Sequence, residues 1–359
     1  MCRLGGIWMN CRNSRFSLSC ATERDSGGIQ KVFEDAEFGG SIAVRFSRAP
    51  DPYKSLQNDG ESIVLPVARD VETDSIVGVG GCVLRTAFLN GTPAVTGYLT
   101  GMKLLKSYRG GMPLIRQAYE LIHEQAQGLE PFYYTTILKS NEQAIKLLEK
   151  PRKGMPSYRY MGEYTVFCLG TGRKAGYIPS SFQKGVSDGL QEFYAEHLQK
   201  YNLAPHSERL YGLDESEFYT MRSEDGRIIA ACALWNQQSY KQYIITGYSG
   251  IYKLLHRLPT NLLGYPALPK VSTPANYASI ALLVVRENDQ DIAQRFLRLV
   301  AADAARYDFL ILGLFEDHPL RKSLRYMRHI RYDSRLYTVD FGDTPILDGR
   351  PVMLEVGLL

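Results

Sequence analysis

The residues best suited to chemistry lie where an apolar strand pattern runs into a helix pattern, between Tyr98 and Pro113. Here the chain reads Lys103-Leu104-Leu105-Lys106-Ser107-Tyr108-Arg109-Gly110-Gly111, and Pro113 suits the first turn of a helix. The first N–H groups of a helix have no internal partner, and the helix dipole is positive at that end. Because glycines let the backbone approach an anion and Arg109 can add a charged hydrogen bond, this junction is predicted to bind a pyrophosphate.

A second polar motif follows the strand pattern at Phe132–Leu138. It reads Asn141-Glu142-Gln143-Ala144-Ile145-Lys146-Leu147-Leu148-Glu149-Lys150, with apolar residues at helical spacing. Ser140 is predicted to cap this helix, and Asn141 taken alone is also typical of a capping residue. The two motifs lie about thirty residues apart in the sequence, and together they are more specific than either one.

In this order the motifs resemble those of the GCN5-related N-acetyltransferase (GNAT) family, V-x-P-x-Y-R-G-x-G-x-G before a helix and N-x-x-A-x-x-L-Y-E-K after the fifth strand. The resemblance covers roughly Phe16 to Leu169. It implies acetyl-CoA or another acyl-CoA as cofactor, direct attack of an amine on the thioester, and backbone N–H groups near 102–104 that polarise the thioester carbonyl. It also implies that Asn141 bonds the pantetheine arm. The implied cofactor-binding residues are Met102, Lys103, Leu104, Tyr108, Arg109, Gly110, Gly111, Met112 and Asn141.

Two departures from the family pattern concern catalysis. Met112-Pro113-Leu114 replaces the later glycines, and Leu148 stands where many members have a tyrosine that protonates the leaving thiolate. Leucine cannot donate a proton, so another group or solvent must supply it, or the domain binds CoA without turning it over. The alternative acids are Tyr134, Tyr158 and Tyr160, and the candidate bases are Glu163, His123 and Glu72; Tyr134 and Glu163 are our predicted catalytic residues.

Two successive segments show the same order of strand and helix patterns, which predicts an internal duplication. The expected fold is α/β, with two tandem GNAT-like domains, each a mixed twisted sheet flanked by helices. The predicted boundaries are an N-terminal tail at 1–15, a cofactor-binding domain at 16–170, a linker at 171–176, a degenerate second domain at 177–345 and a C-terminal tail at 346–359. Residues 240–276 have no counterpart in the first half and are predicted to be an ordered insertion. Asn90-Gly91 predicts a β-hairpin, and helices are predicted at 181–201, 289–307 and 318–327.

The second half lacks the anion-binding signature. Glu287, Asp289 and Asp291 surround the start of its corresponding helix and oppose a pyrophosphate. Trp235-Asn236-Gln237-Gln238-Ser239-Tyr240-Lys241-Gln242-Tyr243, with Tyr332-Asp333-Ser334-Arg335-Leu336-Tyr337, resembles bacterial tandem GNAT-like proteins. Trp235, Gln238, Lys241 and Tyr243 are predicted to line an acceptor pocket, with an ordinary amphipathic strand as the alternative.

Composition narrows the functional class further. The chain has 359 residues, 45% hydrophobic and 22% charged, with a net charge of +4; this argues against disorder and does not call for a nucleic acid. No Cys or His spacing suggests a metal site, and no apolar run could span a bilayer. Unpaired cysteines in apolar runs and the lack of a signal-peptide core predict a cytoplasmic protein.

The sequence therefore predicts an acyl-CoA-dependent N-acyltransferase acting on a small-molecule or peptide amine, without a metal or membrane partner. Two alternatives stay open: a non-catalytic module that binds CoA or a metabolite, and a transferase that uses an aminoacyl-tRNA donor. A homodimer is among the oligomeric states compatible with the sequence.

Overall fold

The computed structural model describes residues 15–35, 39–108, 112–172, 176–342 and 344–359. The strands of the first half are β1 (Phe16–Cys20), β2 (Ile42–Ser47), β3 (Ser62–Val64), β4 (Pro66–Asp70), β5 (Ser75–Leu89), β6 (Thr92–Leu104), β7 (Phe132–Leu138) and β8 (Ser157–Gly170). Its helices are α1 (Ser26–Glu34), α2 (Pro52–Gln57), α3 (Met112–Gln125) and α4 (Glu142–Leu148).

The second half ends in the same order of elements as the first: strand, helix, strand, helix, strand. Its strands are β9 (Phe182–Lys184), β10 (Phe218–Arg222), β11 (Ile228–Trp235), β12 (Gln242–Tyr248), β13 (Tyr277–Val285), β14 (Phe309–Phe315) and β15 (His329–Asp340). Its helices are α5 (Leu190–Leu198), α6 (Tyr252–Leu255) and α7 (Gln290–Asp303), and a 3₁₀ helix, Pro319–Tyr326, follows β14.

Local sequence explains the elements that frame the site. Asn90 and Gly91 both have positive φ, 52° and 81°, as the tight hairpin between β5 and β6 requires. The Asp289 side chain accepts hydrogen bonds from the N–H groups of Asp291 and Ile292, which fixes the start of α7. The hairpin therefore fixes where β5 ends and β6 begins, and the cap fixes where α7 begins after β13.

The two halves share one mixed sheet. Within the described residues, thirteen strands form a sheet in the order β1-β4-β5-β6-β7-β15-β8-β14-β13-β11-β10-β9, with β3 paired to β5. The last strand of the second half, β15, lies between β7 and β8, and β8 in turn lies between β15 and β14. The two expected α/β units are present, and this exchange of strands joins their sheets. The boundaries at 16–170 and 177–345 stay a prediction.

The predicted insertion at 240–276 is ordered and contributes β12. This strand pairs with β2 of the first half in a separate two-stranded sheet, from Gln242 opposite Ser47 to Tyr248 opposite Ile42. The second half thereby covers one side of the first half near α1 and α2.

Several sequence-based element assignments were wrong. The predicted helix at 181–201 is strand β9 followed by the shorter α5, because Gly185 and Gly189 adopt left-handed φ values of 94° and 78°. The helix expected after His318 is 3₁₀, and Asn141 rather than Ser140 caps α4. Much of the expected C-terminal tail is buried, since the apolar side chains of Val352, Met353, Leu354 and Val356 pack into the core.

Candidate functional site

The first half contains a place where two parallel strands separate. β6 and β7 pair in parallel over only three positions, from Thr96 opposite Phe132 to Tyr98 opposite Tyr134. Beyond them β6 has a β-bulge, since Thr100 pairs with Gly81 but Lys103 pairs with Val79. Gly101 lies in this bulge with φ 66°, and a Cβ there would lie 3.1 Å from the Phe33 ring. The two strands therefore leave a wedge, here called the first divergence, lined by β6 after Tyr98 and β7 after Tyr134.

The second half repeats this geometry residue for residue. β13 and β14 pair from Tyr277 opposite Phe309 to Ser279 opposite Ile311, and then separate. The bulge in β13 falls between Ala281 and Val284, and Leu282 has φ 54°. Leu282 follows the last parallel pair by three residues, as Gly101 does in the first half. We call this wedge the second divergence.

A segment of the chain itself fills the second divergence. Residues 353–356 lie between β13 and β14, beside Leu283 and Leu312. Leu282 donates its N–H to Glu355 Oε1 at 2.9 Å. Glu355 is 6% exposed, and burial raises the pKa of its carboxyl to about 7. The bulge amide of the second half therefore binds a carboxylate oxygen inside the wedge.

The predicted cofactor residues that the structure describes lie around the first divergence. Met102 is exposed on β6 after the bulge, and Tyr119 donates its hydroxyl to the Met102 sulfur at 3.6 Å. The Lys103 ammonium donates to the carbonyl of Phe33 in α1, and burial lowers the pKa of Lys103 to about 8. Leu104 ends β6.

The remaining predicted cofactor residues lie at the adjoining helix starts. Tyr108 closes a 3₁₀ turn and packs edge-on against Phe16, with ring centroids 5.8 Å apart. Met112 begins α3, and Asn141 Oδ1 accepts from the Ala144 N–H at 3.2 Å, which caps α4. The predicted residues Arg109, Gly110 and Gly111 lie outside the described residues.

Two tyrosines pack in the same cluster as the leucine that departs from the family pattern. Leu148 is 8% exposed and clusters with Tyr158 and Tyr337. The Tyr158 hydroxyl hydrogen-bonds that of Tyr119, which also reaches Met102. Burial raises the pKa of Tyr158 well above its usual value, so Tyr158 stays protonated. Sequence reasoning missed Tyr119, although its position on the buried face of α3 was a usable signal.

Of the other candidate catalytic residues, Tyr134 belongs to the last parallel pair before the first divergence but is packed in the core, and Glu163 and His123 lie away from the bulge. Tyr134 is 3% exposed, and its ring contacts Tyr98 in a core cluster separate from the one that holds Tyr119. Glu163 lies on β8, three strands from β6, about 14 Å across the sheet, and pairs with Lys139. His123 stacks on Phe341 at 5.0 Å at the surface of α3.

Tyr160 and Glu72 complete the set of proposed acids and bases. Tyr160 is 49% exposed on β8, and Glu72 lies in the exposed turn between β4 and β5. The structure therefore brings Tyr158 close to the first divergence, and it does not bring Glu163, Glu72 or Tyr160 to the bulge.

The predicted acceptor residues are mostly engaged within the fold. Trp235 is fully buried and donates Nε1–H to the Tyr211 carbonyl at 3.0 Å. Gln238 donates Nε2–H to the Tyr277 carbonyl at 2.7 Å, and the Tyr243 ring lies 5.1 Å from that of Tyr277. The alternative interpretation as a strand holds only for Trp235 in β11 and Tyr243 in β12, because Gln238 and Lys241 lie in the turn between them. The acceptor role stays a prediction.

Lys241 belongs to a buried charge cluster that the sequence did not predict. The cluster, here called the junction cluster, comprises Arg48, Asp59, Arg85 and Lys241, none of them more than 7% exposed. Arg48 Nη2 lies 2.6 Å from Asp59 Oδ2, and Lys241 Nζ lies 3.3 Å from Asp59 Oδ1. The cations hold the pKa of Asp59 below its ordinary value although burial acts to raise it, and burial lowers the pKa of Lys241 to about 7.

The junction cluster also holds the C-terminal segment. Lys241 donates to the carbonyl of Gly357 at 2.8 Å, and Arg85 Nη2 donates to that of Leu358 at 2.9 Å. Since Lys241 comes from the second half and the other three cluster residues from the first, the cluster joins both halves to residues 357 and 358.

Metal-binding and membrane-spanning features were searched across the described ranges. In those ranges, no three His, Cys, Asp or Glu side chains come together in a way that could hold a metal ion. Every helix in the same part of the chain is too short or too polar to cross a membrane.

Comparisons with known proteins bear on the fold. The structure is similar to Saccharomyces cerevisiae N-myristoyltransferase with bound myristoyl-CoA, with a TM-score of 0.58 and 10% identity over 98% of this chain and 92% of that chain. It is also similar to a GCN5-related N-acetyltransferase from Sphaerobacter thermophilus, with a TM-score of 0.56 and 13% identity over 96% and 98%. No protein-family model matches the sequence, and no curated protein matches it.

The chain therefore has the GNAT fold, the fold of its N-acetyltransferase and N-myristoyltransferase structural neighbours, over nearly its whole length. This confirms the predicted fold of two tandem GNAT-like units. At these identities the likeness concerns the fold, so the function rests on the site itself.

Proposed function

We propose that the protein is an acyl-CoA-dependent N-acyltransferase whose donor site is the first divergence. The observation that carries this proposal is the correspondence between Gly101 and Leu282. Leu282 directs its N–H to a carboxylate oxygen inside the second divergence, and Gly101 occupies the matching bulge position in the first. Its N–H is therefore suited to a thioester carbonyl oxygen, where it would stabilise the negative charge that develops during acyl transfer.

The residues around the first divergence fit an acyl-CoA. The start of α3 supplies helix N–H groups for a pyrophosphate, and Asn141 at the start of α4 supplies an amide for a pantetheine arm. When bound, the acyl-CoA supplies the activated acyl group. Three side chains near the bulge, Met102, Tyr119 and Tyr158, offer a thioether and two hydroxyl groups.

In the proposed reaction, an uncharged amine attacks the thioester carbon, the new C–N bond forms and the C–S bond breaks. The nitrogen loses its surplus proton to solvent water, and the acid that protonates the leaving sulfur regains a proton from solvent. Tyr158 is suited to give its proton to the leaving sulfur, because it is protonated and packs beside Leu148. Tyr134 is less suited, since it lies in the other core cluster with Tyr98. Tyr134 and Glu163 stay predictions as catalytic residues.

We further propose acetyl as the acyl group and a small-molecule or peptide amine as acceptor. The reduced, buried thiols of Cys82 and Cys232 are compatible with a cytoplasmic location, which we also propose. Leu148 favours a second candidate function, a module that binds CoA without turnover, because the usual thiolate-protonating tyrosine is replaced there.

Calorimetric titration with acetyl-CoA and with CoA tests the donor site. We expect micromolar binding to the wild-type protein, and weaker binding after Asn141→Asp, which keeps a capping carboxylate but removes the amide donor. Arg109→Glu is expected to weaken binding further. Its matched control is Arg257→Glu, which makes the same substitution at an exposed arginine of the second half and should leave binding unchanged. Equal affinities in all four proteins would refute the donor site.

Turnover distinguishes the two candidate functions. Wild-type protein is incubated with acetyl-CoA, or with myristoyl-CoA for comparison, and a panel of amines, and thiol release is followed. Binding with amine-dependent thiol release supports the transferase, whereas binding with no release for any amine supports the non-catalytic module.

A further inference from the structure

The insertion between β12 and β13 exposes several large apolar side chains. It forms the short helix α6 and then a 3₁₀ helix, Thr260–Leu263. Five apolar residues of this stretch, each between 58% and 78% exposed, are here called the leucine face: Ile251, Leu254, Leu258, Leu262 and Leu263. The first three lie three and four positions apart, which places them on the same side of a helical turn. Monomeric soluble proteins seldom expose so many large apolar side chains within one short stretch, so this face is typical of an interaction site.

Contacts on the opposite side of the insertion fix it to the rest of the protein. Tyr248 donates its hydroxyl to the carbonyl of Pro269 at 2.7 Å, and its ring stacks on that of His256 at 4.9 Å. A Cβ on Gly170 would lie 2.5 Å from the Gly264 carbonyl oxygen, so the insertion packs directly against the end of β8. The leucine face therefore belongs to an anchored element, and its exposure does not come from a detached loop.

The charged side chains of the insertion are all positive. Between Gly226 and Arg286 the sequence contains no aspartate or glutamate. The exposed cations of the insertion are Lys253, Arg257 and Lys270. A fourth cation, Arg328, donates to the carbonyl of Leu263 and lies over the Tyr265 ring at 5.3 Å. Because an apolar face is accompanied only by cations, the partner with complementary properties is apolar inside and anionic at its surface.

This charge pattern decides between the possible occupants of the leucine face. In a twofold dimer the same surface of a second copy would meet it, and that would bring Lys253 and Arg257 against like charges without a carboxylate between them. An anionic bilayer instead takes separate apolar side chains among its acyl chains, while its headgroups attract lysine and arginine. Tyr265 also suits a bilayer, because tyrosine is enriched at the depth of the headgroups.

We propose that the leucine face docks the protein on the surface of a membrane that contains anionic lipids. The leucines enter the boundary between headgroups and acyl chains, and Lys253, Arg257 and Lys270 meet the headgroups. The sequence predicted no membrane partner, and this peripheral docking replaces that expectation. The proposal goes beyond the acyltransferase function and does not depend on it, because it concerns the surface of the insertion and is measured without acyl-CoA.

The test is co-sedimentation of the full chain with vesicles of phosphatidylcholine alone and of phosphatidylcholine with about one third phosphatidylserine. We expect binding to the anionic vesicles to be tighter by at least about tenfold, since several cations each add to the attraction. Raising the salt concentration should weaken this binding, because salt screens the attraction between cations and headgroups. Both measurements use the wild-type protein, so they decide the proposal even if a variant does not fold.

The apolar contribution is tested by Leu254→Gln combined with Leu262→Gln. This double variant should bind the anionic vesicles at least about tenfold more weakly, because two side chains no longer enter the bilayer. Its matched control is Leu129→Gln combined with Ile346→Gln, which makes the same kind of change at exposed apolar residues outside the insertion and should bind like wild type.

The electrostatic contribution is tested by Lys253→Glu combined with Arg257→Glu. This double variant should lose the preference for anionic vesicles. Its matched control is Arg295→Glu combined with Arg298→Glu, which changes the net charge equally at two exposed arginines of α7 and should keep the preference.

The proposal is overturned if the wild-type protein binds neither kind of vesicle or binds both equally, or if the leucine double variant binds like wild type. It is also overturned if either control loses as much binding as its test variant. A dimer that dissociates in the leucine double variant, without vesicle binding by wild type, would assign the leucine face to a second copy. Titration of the leucine double variant with CoA should match wild type, so a failure of this proposal is distinguishable from a failure of the donor site.

Discussion

Leu282 donates its backbone N–H to Glu355 Oε1 across 2.9 Å, where β13 and β14 separate. In the first half, the residue at the matching bulge position is Gly101. The second half thus closes its divergence with a segment of its own chain, and we propose that the equivalent amide of the first half meets a ligand instead. This asymmetry between two similar units explains why we assign the donor site to the first half alone.

The bulge glycine offers the most direct test of that assignment. We expect Gly101→Ala to lower turnover at least tenfold, because φ 66° is strained for alanine and its Cβ would press on Phe33. The free energy of unfolding should fall by about 1–2 kcal/mol. Gly128→Ala is the control, since Gly128 also has a positive φ, 83°, but has nothing within 4 Å of its Cβ position. Turnover and denaturant unfolding are measured for both; normal turnover in Gly101→Ala contradicts the assignment.

The proposed proton donor is tested by Tyr158→Phe. Removing the hydroxyl should lower kcat by roughly 10²-fold, the usual contribution of a general acid, with little change in the Kd for CoA. Tyr160→Phe is the control, because Tyr160 lies on the same strand but is 49% exposed. A kcat that falls equally in both variants, or in neither, argues against Tyr158.

The sequence predicted local features well where one side chain decides the conformation. The Asn90-Gly91 turn and the strand at Phe132–Leu138 lie where the sequence patterns indicated, and α7 begins at Gln290, one residue after the predicted start at Asp289. The helix expected at 181–201 was wrong, because Gly185 and Gly189 adopt left-handed φ values of 94° and 78° that interrupt a helix.

Most of the site depends on contacts distant in sequence. The exchange of β15 and β8 brings together residues about 170 positions apart, and Glu355 reaches Leu282 only because the last segment inserts into the sheet. The junction cluster likewise joins Asp59 to Lys241. Neither motif spacing nor hydrophobic periodicity indicates such pairings. The contact between Tyr119 and Tyr158 and the filled second divergence therefore could not be predicted, although the position of Tyr119 on α3 could.

Glu355 gives the stability a defined pH dependence. Burial raises its pKa from an ordinary 4.5 to about 7, so between these values the folded state keeps a proton that the unfolded state has released. The free energy of unfolding should therefore fall as the pH rises through this window, by roughly 3 kcal/mol in total, and the loss should be complete above pH 7.

Glu355→Gln isolates this effect, because the amide oxygen still accepts from Leu282 but does not ionise. Denaturant unfolding of both proteins from pH 5 to pH 8 should show the variant gaining stability relative to wild type as the pH rises. Parallel curves for the two proteins would show that Glu355 is not held in a buried, neutral form.

The junction cluster should contribute strongly to the free energy of unfolding through its buried ion pairs. Asp59 is the single carboxylate among Arg48, Arg85 and Lys241 in the cluster, so Asp59→Asn should cost about 3–5 kcal/mol by leaving buried cations without an anion. The control is Glu142→Gln, which breaks an exposed ion pair with Lys146 and should lower the free energy of unfolding by less than about 0.5 kcal/mol.

Adding Lys241→Met to Asp59→Asn should recover part of the lost stability, because it removes one uncompensated charge. The coupling energy between Asp59 and Lys241 is obtained from the free energies of unfolding of Asp59→Asn, Lys241→Met and the double variant. We expect it to exceed about 1 kcal/mol. Strict additivity would mean that the two residues do not interact.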